Sequence, residues 1–143
     1  MEYKSKKSQN IAAYYKNKSK LNKVNDNYLE LRKKDISYQL IDNLARRTTK
    51  ELTKKNIIRE MNHTDLIGCN GEDLKKYLSK LFTEHMTLNN YGEWELDHIK
   101  PVSSFNLNNE DELRKCFHYT NLQPLWRKDN RSKSDKIITN VKE

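Results

Sequence analysis

The sequence predicts a mostly helical α+β fold, with two short strands confined to its C-terminal part. Three observations carry this. Long stretches lack Gly and Pro and repeat apolar residues at helical spacing. Trp94-Glu95-Leu96-Asp97-His98-Ile99 alternates apolar and polar residues, which is a strand pattern. Asn121-Leu122-Gln123-Pro124-Leu125-Trp126 reads as a second strand, and a polar, helix-permitting run follows it over 127–136.

Residues 1–34 are rich in Lys and Asn, with no Gly or Pro, and Ile11, Tyr14, Tyr15, Leu21, Val24, Tyr28 and Leu31 lie near helical spacing. A long basic helix is expected here, or one that orders on a partner. In 36–47, Ile36, Leu40, Ile41 and Leu44 share one face of an amphipathic helix. Arg46 and Arg47 close that helix, where they suit its dipole and could equally meet phosphate. A short helix around 53–60 carries Ile57, Ile58 and Met61. Gly68 and Gly71 punctuate IGCNGED. After them, Leu74, Tyr77, Leu78, Leu81, Phe82 and His85 predict a helix over roughly 72–86. His85 on that stripe reads as a packed histidine. Pro101 ends the first strand, and a short helix is expected near Glu110–Phe117. Pro124 argues for an edge strand or an irregular path.

Of the 143 residues, 34% are hydrophobic and 34% charged, which predicts a small core and much exposed chain. The net charge of +8 favours a polyanionic partner. Residues 1–60 hold 16 Lys and Arg against 7 Asp and Glu, while 61–143 hold 12 against 13, so the excess lies in the first half. Two domains follow: a basic helical arm over 1–62 that binds nucleic acid, and a body over 63–143. Cys69 and Cys116 stand far apart and outside any CxxC pair, so no structural zinc is expected. No apolar run approaches membrane-spanning length, and MEYKSKKSQN is no signal peptide. The expectation is an intracellular protein, in a bacterial cytoplasm or the host cell of a virus, that is not secreted.

The Asp97-His98 pair at a strand end carries the chemistry. Hydrolysis of a phosphodiester needs a base for water, and neutral histidine titrates near physiological pH. It also needs a cation against charge that builds on the phosphate. Adjacent strand residues point to opposite sides, so Asp97 and His98 have different tasks. Trp94 and Trp126 read as core residues, and His118 as a structural hydrogen-bonding residue or a contact to the scissile phosphate.

WELDHIKPVSSFNL followed by CFHYTNLQPLWRKDNRSKSDK resembles the HNH endonuclease family. The likeness is strongest to its phage and mobile-element branch, which includes homing endonucleases, and it covers about residues 64–136. It implies a ββα-metal (His-Me finger) core at about 92–136 that clasps one divalent cation. Asp97 corresponds to the first metal ligand and His98 to the general base. Asn121 corresponds to the residue that pins the loop and orients the histidine, and Asn130 to the second metal ligand. Many members have histidine at that last position; the amide oxygen here favours Mg²⁺ or Mn²⁺ over zinc or nickel. Arg46, Arg47, Arg127, Lys128, Arg131, Lys133 and Lys136 are candidate phosphate contacts. The implied activity is a metal-dependent DNA endonuclease, homing or nicking, acting on double-stranded DNA as a monomer or weak dimer. A non-catalytic nucleic-acid binder that keeps the fold, or an RNA-directed or toxin-like nuclease, are the alternatives.

Overall fold

The computed structural model describes residues 2–57 and 62–137, with the backbone alone at 2–10 and 12. Along the described chain run α1 (Glu2–Lys33), α2 (Ile36–Lys54), α3 (His63–Ile67), α4 (Gly71–Lys80), β1 (Trp94–His98), α5 (Glu110–Phe117), β2 (Leu122–Trp126) and α6 (Arg127–Lys133). The fold is α+β and mostly helical, with an antiparallel sheet of β1 and β2 in which Trp94 faces Trp126 and His98 faces Leu122. The helix expected near 53–60 is in part the end of α2, and its residues 58–60, with Met61 after them, lie outside the described ones.

Two compact units divide the chain, residues 1–35 and residues 36–143. The division falls before α2, whereas the sequence places it near residue 62. The cause is the apolar stripe of α2: Leu40 and Leu44 are buried with Leu74 and Leu78 of α4, so α2 belongs to the core of the second unit. In the first unit, Ile11, Tyr14, Tyr15, Leu21, Val24, Tyr28, Leu29 and Leu31 of α1 are all exposed.

Several asparagines act at helix starts, where orphaned backbone N–H groups need acceptors. The side-chain oxygens of Asn62, Asn70 and Asn109 accept from the N–H of Thr64, Asp73 and Glu112 at 3.0, 2.9 and 3.1 Å. Helix α4 stops at Lys80, short of the residue 86 that periodicity predicts. The N–H groups of Leu81 and Phe82 bond back only three residues, and His85 takes a left-handed backbone with φ 65°. That turn sends Met86 into the core and leaves His85 exposed beside Glu84, which corrects the expectation of a packed histidine.

The main core joins Leu40, Leu44, Ile67, Leu74, Leu78, Met86, Trp94, Leu96 and Leu122. A second cluster of Leu52, Leu66, Leu107, Leu113, Cys116 and Phe117 ties α3 and α5 to the end of α2. Trp94 is wholly buried and its indole N–H donates to the Thr87 carbonyl at 2.7 Å, while Trp126 packs partly buried on the main core. The sheet is thereby anchored on one side, and α6 lies against both strands.

Close approach of α2 and α4 depends on Gly71, where a Cβ would stand 2.7 Å from the Ser37 carbonyl oxygen. Alanine is the better helix former, yet here it must push backbone aside. Gly71→Ala is expected to destabilise the protein by about 1–3 kcal/mol, read as a lower urea midpoint at unchanged slope. A stabilised variant would contradict this packing of α2 on α4.

Candidate functional site

Strand alternation sets the site. Trp94 and Leu96 face the main core, so Glu95 and Asp97 face α6. On α6, residues three apart share a face, and Arg127, Asn130 and Lys133 meet those carboxylates. Arg127 Nε donates to Glu95 Oε1 at 3.1 Å and Asn130 Nδ2 to Glu95 Oε2 at 2.9 Å. Lys133 Nζ donates to Asp97 Oδ2 at 2.7 Å and to the His98 carbonyl at 2.6 Å. Gln123, the cross-strand partner of Asp97, adds a donor at 3.0 Å to the same Oδ2.

Lys133 is 1% exposed and its ammonium donates to two buried acceptors. It was expected to hold phosphate, but the structure turns it inward as the counter-ion of Asp97. A buried charge must be paired and hydrogen-bonded to be tolerated, and these two acceptors satisfy that need.

His98 is 7% exposed, and its ring meets Phe117 edge-on with centroids 5.7 Å apart. Its Nε2 is buried and has no hydrogen-bond partner among the described residues. Burial, with Arg47 and Lys133 nearby, pushes the imidazole down to about 4 against the opposing pull of Asp97 and Glu51. The ring is therefore neutral at neutral pH.

Asn121 lies just before β2 and fastens the turn that follows His98. Its Oδ1 accepts from the Lys100 N–H at 3.0 Å, while its Nδ2 donates to the carbonyls of Lys100 and Cys116 at 3.1 and 2.9 Å. The Ile99 N–H donates to its backbone carbonyl at 2.8 Å.

A cavity of about 470 Å³ takes in part of this set and leaves Asn121, Gln123, Glu95 and Arg127 out of its lining. Asp97, His98, Asn130 and Lys133 line it, together with Arg47, Lys50, Glu51 and Lys55 from α2 and its end. Arg47 Nη1 also donates to the Leu96 carbonyl at 2.5 Å. Of the other candidates, Arg46 pairs with Asp42 at 2.7 Å, and Lys128, Arg131 and Lys136 are exposed outside the cavity lining. His118 bonds Thr120 Oγ1 at 2.8 Å and packs against Gly68, which is a structural role.

Asp97 and Asn130 each keep one side-chain oxygen without a donor among the described residues, since Asp97 uses Oδ2 and Asn130 gives its amide N–H. Two hard oxygens fit a divalent cation that takes its remaining ligands from water and phosphate. The described residues hold no cluster of three or more His, Cys, Asp and Glu side chains suited to a metal.

Sequence reasoning missed Gln123, Glu95, Lys50 and Lys55. Glu95 was legible, because it shares the Asp97 face of an alternating strand. Gln123 needed the register of β1 on β2.

The chain has viral relatives. It is similar to two proteins of Acanthamoeba polyphaga mimivirus, uncharacterized protein L246, at 33% identity, and uncharacterized protein L426, at 30%. Each match covers 105 residues, 73% of this chain and 45% of the relative, so the chain spans a little under half the length of either. No family model and no solved structure matches it. Among the described residues no helix is long and apolar enough to cross a membrane.

Removing one partner of a buried ion pair leaves the other uncompensated. Lys133→Met is expected to cost about 3 kcal/mol in urea unfolding, because it strips Asp97 of its ammonium while nearly keeping its shape. Stability equal to that of the unsubstituted protein would mean that the pair does not hold α6 on β1.

Proposed function

We propose that the chain is an HNH-type, metal-dependent endonuclease that hydrolyses DNA with His98 as its single general base. The observation that carries this is the buried, unpartnered Nε2 of His98 on a cavity shared with Asp97 and Asn130. Support also comes from the order β1, β2, α6, in which the helix packs on both strands in the manner of a ββα-metal core.

His98 Nε2 accepts a proton from water as the water oxygen bonds to phosphorus. The bond to the 3′ oxygen breaks, that oxygen takes up a proton, and a 5′ phosphate remains. An imidazole held down to about 4 is a weak base in the free protein. An anionic phosphate brought beside it favours the protonated ring and strengthens the base as substrate arrives. Asn121 fixes the turn after His98 and so keeps the ring aimed. Asp97 and Asn130 would hold Mg²⁺ or Mn²⁺, which when bound neutralises charge on the phosphate and the leaving oxygen. One base makes one hydrolytic centre, and a monomer nicks one strand per encounter.

Purified protein with Mg²⁺ or Mn²⁺ is expected to convert supercoiled plasmid to the nicked circle and leave 5′ phosphates, and His98→Ala to lose at least about a hundredfold in rate. Cutting by His98→Ala at the unsubstituted rate would sink the assignment of the base. Binding without cutting under either metal would favour a non-catalytic nucleic-acid protein, and cutting of RNA alone would favour the RNA-directed reading.

A further inference from the structure

Helix α2 turns one side to the core through Leu40, Leu44 and Leu52. The side next to it carries Arg47, Lys50 and Glu51, with Lys55 one residue past its end, and all four line the cavity of His98. Spacings of three, four and eight residues keep these side chains along one side of the helix. The remaining cations of α2 are paired on its surface: Arg46 lies 2.7 Å from Asp42 and Lys54 3.0 Å from Glu51. Lys50 and Lys55 are exposed and form no ion pair among the described residues. Two unpaired ammonium groups thus converge with Arg47 on a cavity whose histidine nitrogen has no partner.

The wall is held in place. Arg47 reaches the Leu96 carbonyl two residues before His98, and Asn43 Nδ2 donates to the Tyr91 hydroxyl at 2.8 Å. These bonds tie α2 to β1 and to Tyr91 just before it, so the side of α2 that carries the lysines has a set place on the cavity. Lysine is a flexible point charge that suits phosphate without demanding a fixed bidentate geometry.

Resting on the nuclease reading, we propose that Lys50 and Lys55, with Arg47, form the wall that grips the backbone phosphates of the DNA strand presented to His98. The cations lie outside the strand-strand-helix element and supply its substrate contact. The wall positions the strand, and the Asp97–His98 end of β1 acts on it.

Salt-dependent binding tests this apart from cleavage. The probe is a fluorescein-labelled DNA duplex of about 30 base pairs in EDTA, titrated by anisotropy between about 50 and 200 mM salt, with an RNA duplex as a second arm. Each lost phosphate contact lowers the log–log salt slope by about 0.9, so Lys50→Gln/Lys55→Gln should lower it by about 1.8 and weaken DNA binding about tenfold or more. Lys50→Arg/Lys55→Arg should restore both. Lys76→Gln/Lys80→Gln on α4, exposed and away from the cavity, should leave the slope within experimental error. Equal losses for the α2 and α4 pairs would overturn the proposal, and so would loss in the RNA arm alone. Plasmid nicking then separates the two readings. If the unsubstituted protein nicks and the α2 double variant nicks equally at every salt concentration, the wall is wrong and the nuclease reading stands. If binding follows the α2 pair but nothing is cut, the nuclease reading fails and the wall stands.

Discussion

The ammonium of Lys133 is the contact on which the site depends. It bonds Asp97 Oδ2 at 2.7 Å and the His98 carbonyl at 2.6 Å, joining the last turn of α6 to both residues at the end of β1. A buried cation is costly unless acceptors surround it. That cost becomes a constraint: α6 cannot slide on the sheet without leaving a charge unpaired. Asn130, one turn earlier, is thereby held beside Glu95 and on the cavity that Asp97 and His98 share.

The same economy of polar groups runs through the rest of the site. Asn121 uses both ends of its amide on the turn after His98, and Gln123 secures the carboxylate that Lys133 neutralises. Arg47 then links α2 to β1 through the Leu96 carbonyl. The His98 ring lines the cavity beside these bonded groups, while its own Nε2 is buried and has no hydrogen-bond partner among the described residues.

How much of this the sequence reveals depends on the range of the interaction. The helix at Glu110–Phe117 and the two strands were legible because capping, periodicity and alternation are local. Asp97, His98 and Asn130, which the sequence singles out, do line one cavity, whereas Asn121 does not. Lys133 was not, because a lysine in a polar run looks like any surface lysine until β1 brings a carboxylate to it. The membership of α2 was hidden for a similar reason: its stripe of Leu40 and Leu44 was plain, but its partner α4 begins only at the second of two glycines, far along the chain. His85 misled because the apolar stripe runs on past Lys80, whereas the backbone turns at Leu81.

The central claim is that His98 supplies a neutral imidazole as the base for water. Chemical rescue tests it most directly. In His98→Gly, nicking of supercoiled DNA should fall at least about a hundredfold and then recover, in a concentration-dependent way, when free imidazole is added. A His98→Gly protein that cuts at the unsubstituted rate without imidazole would contradict the account.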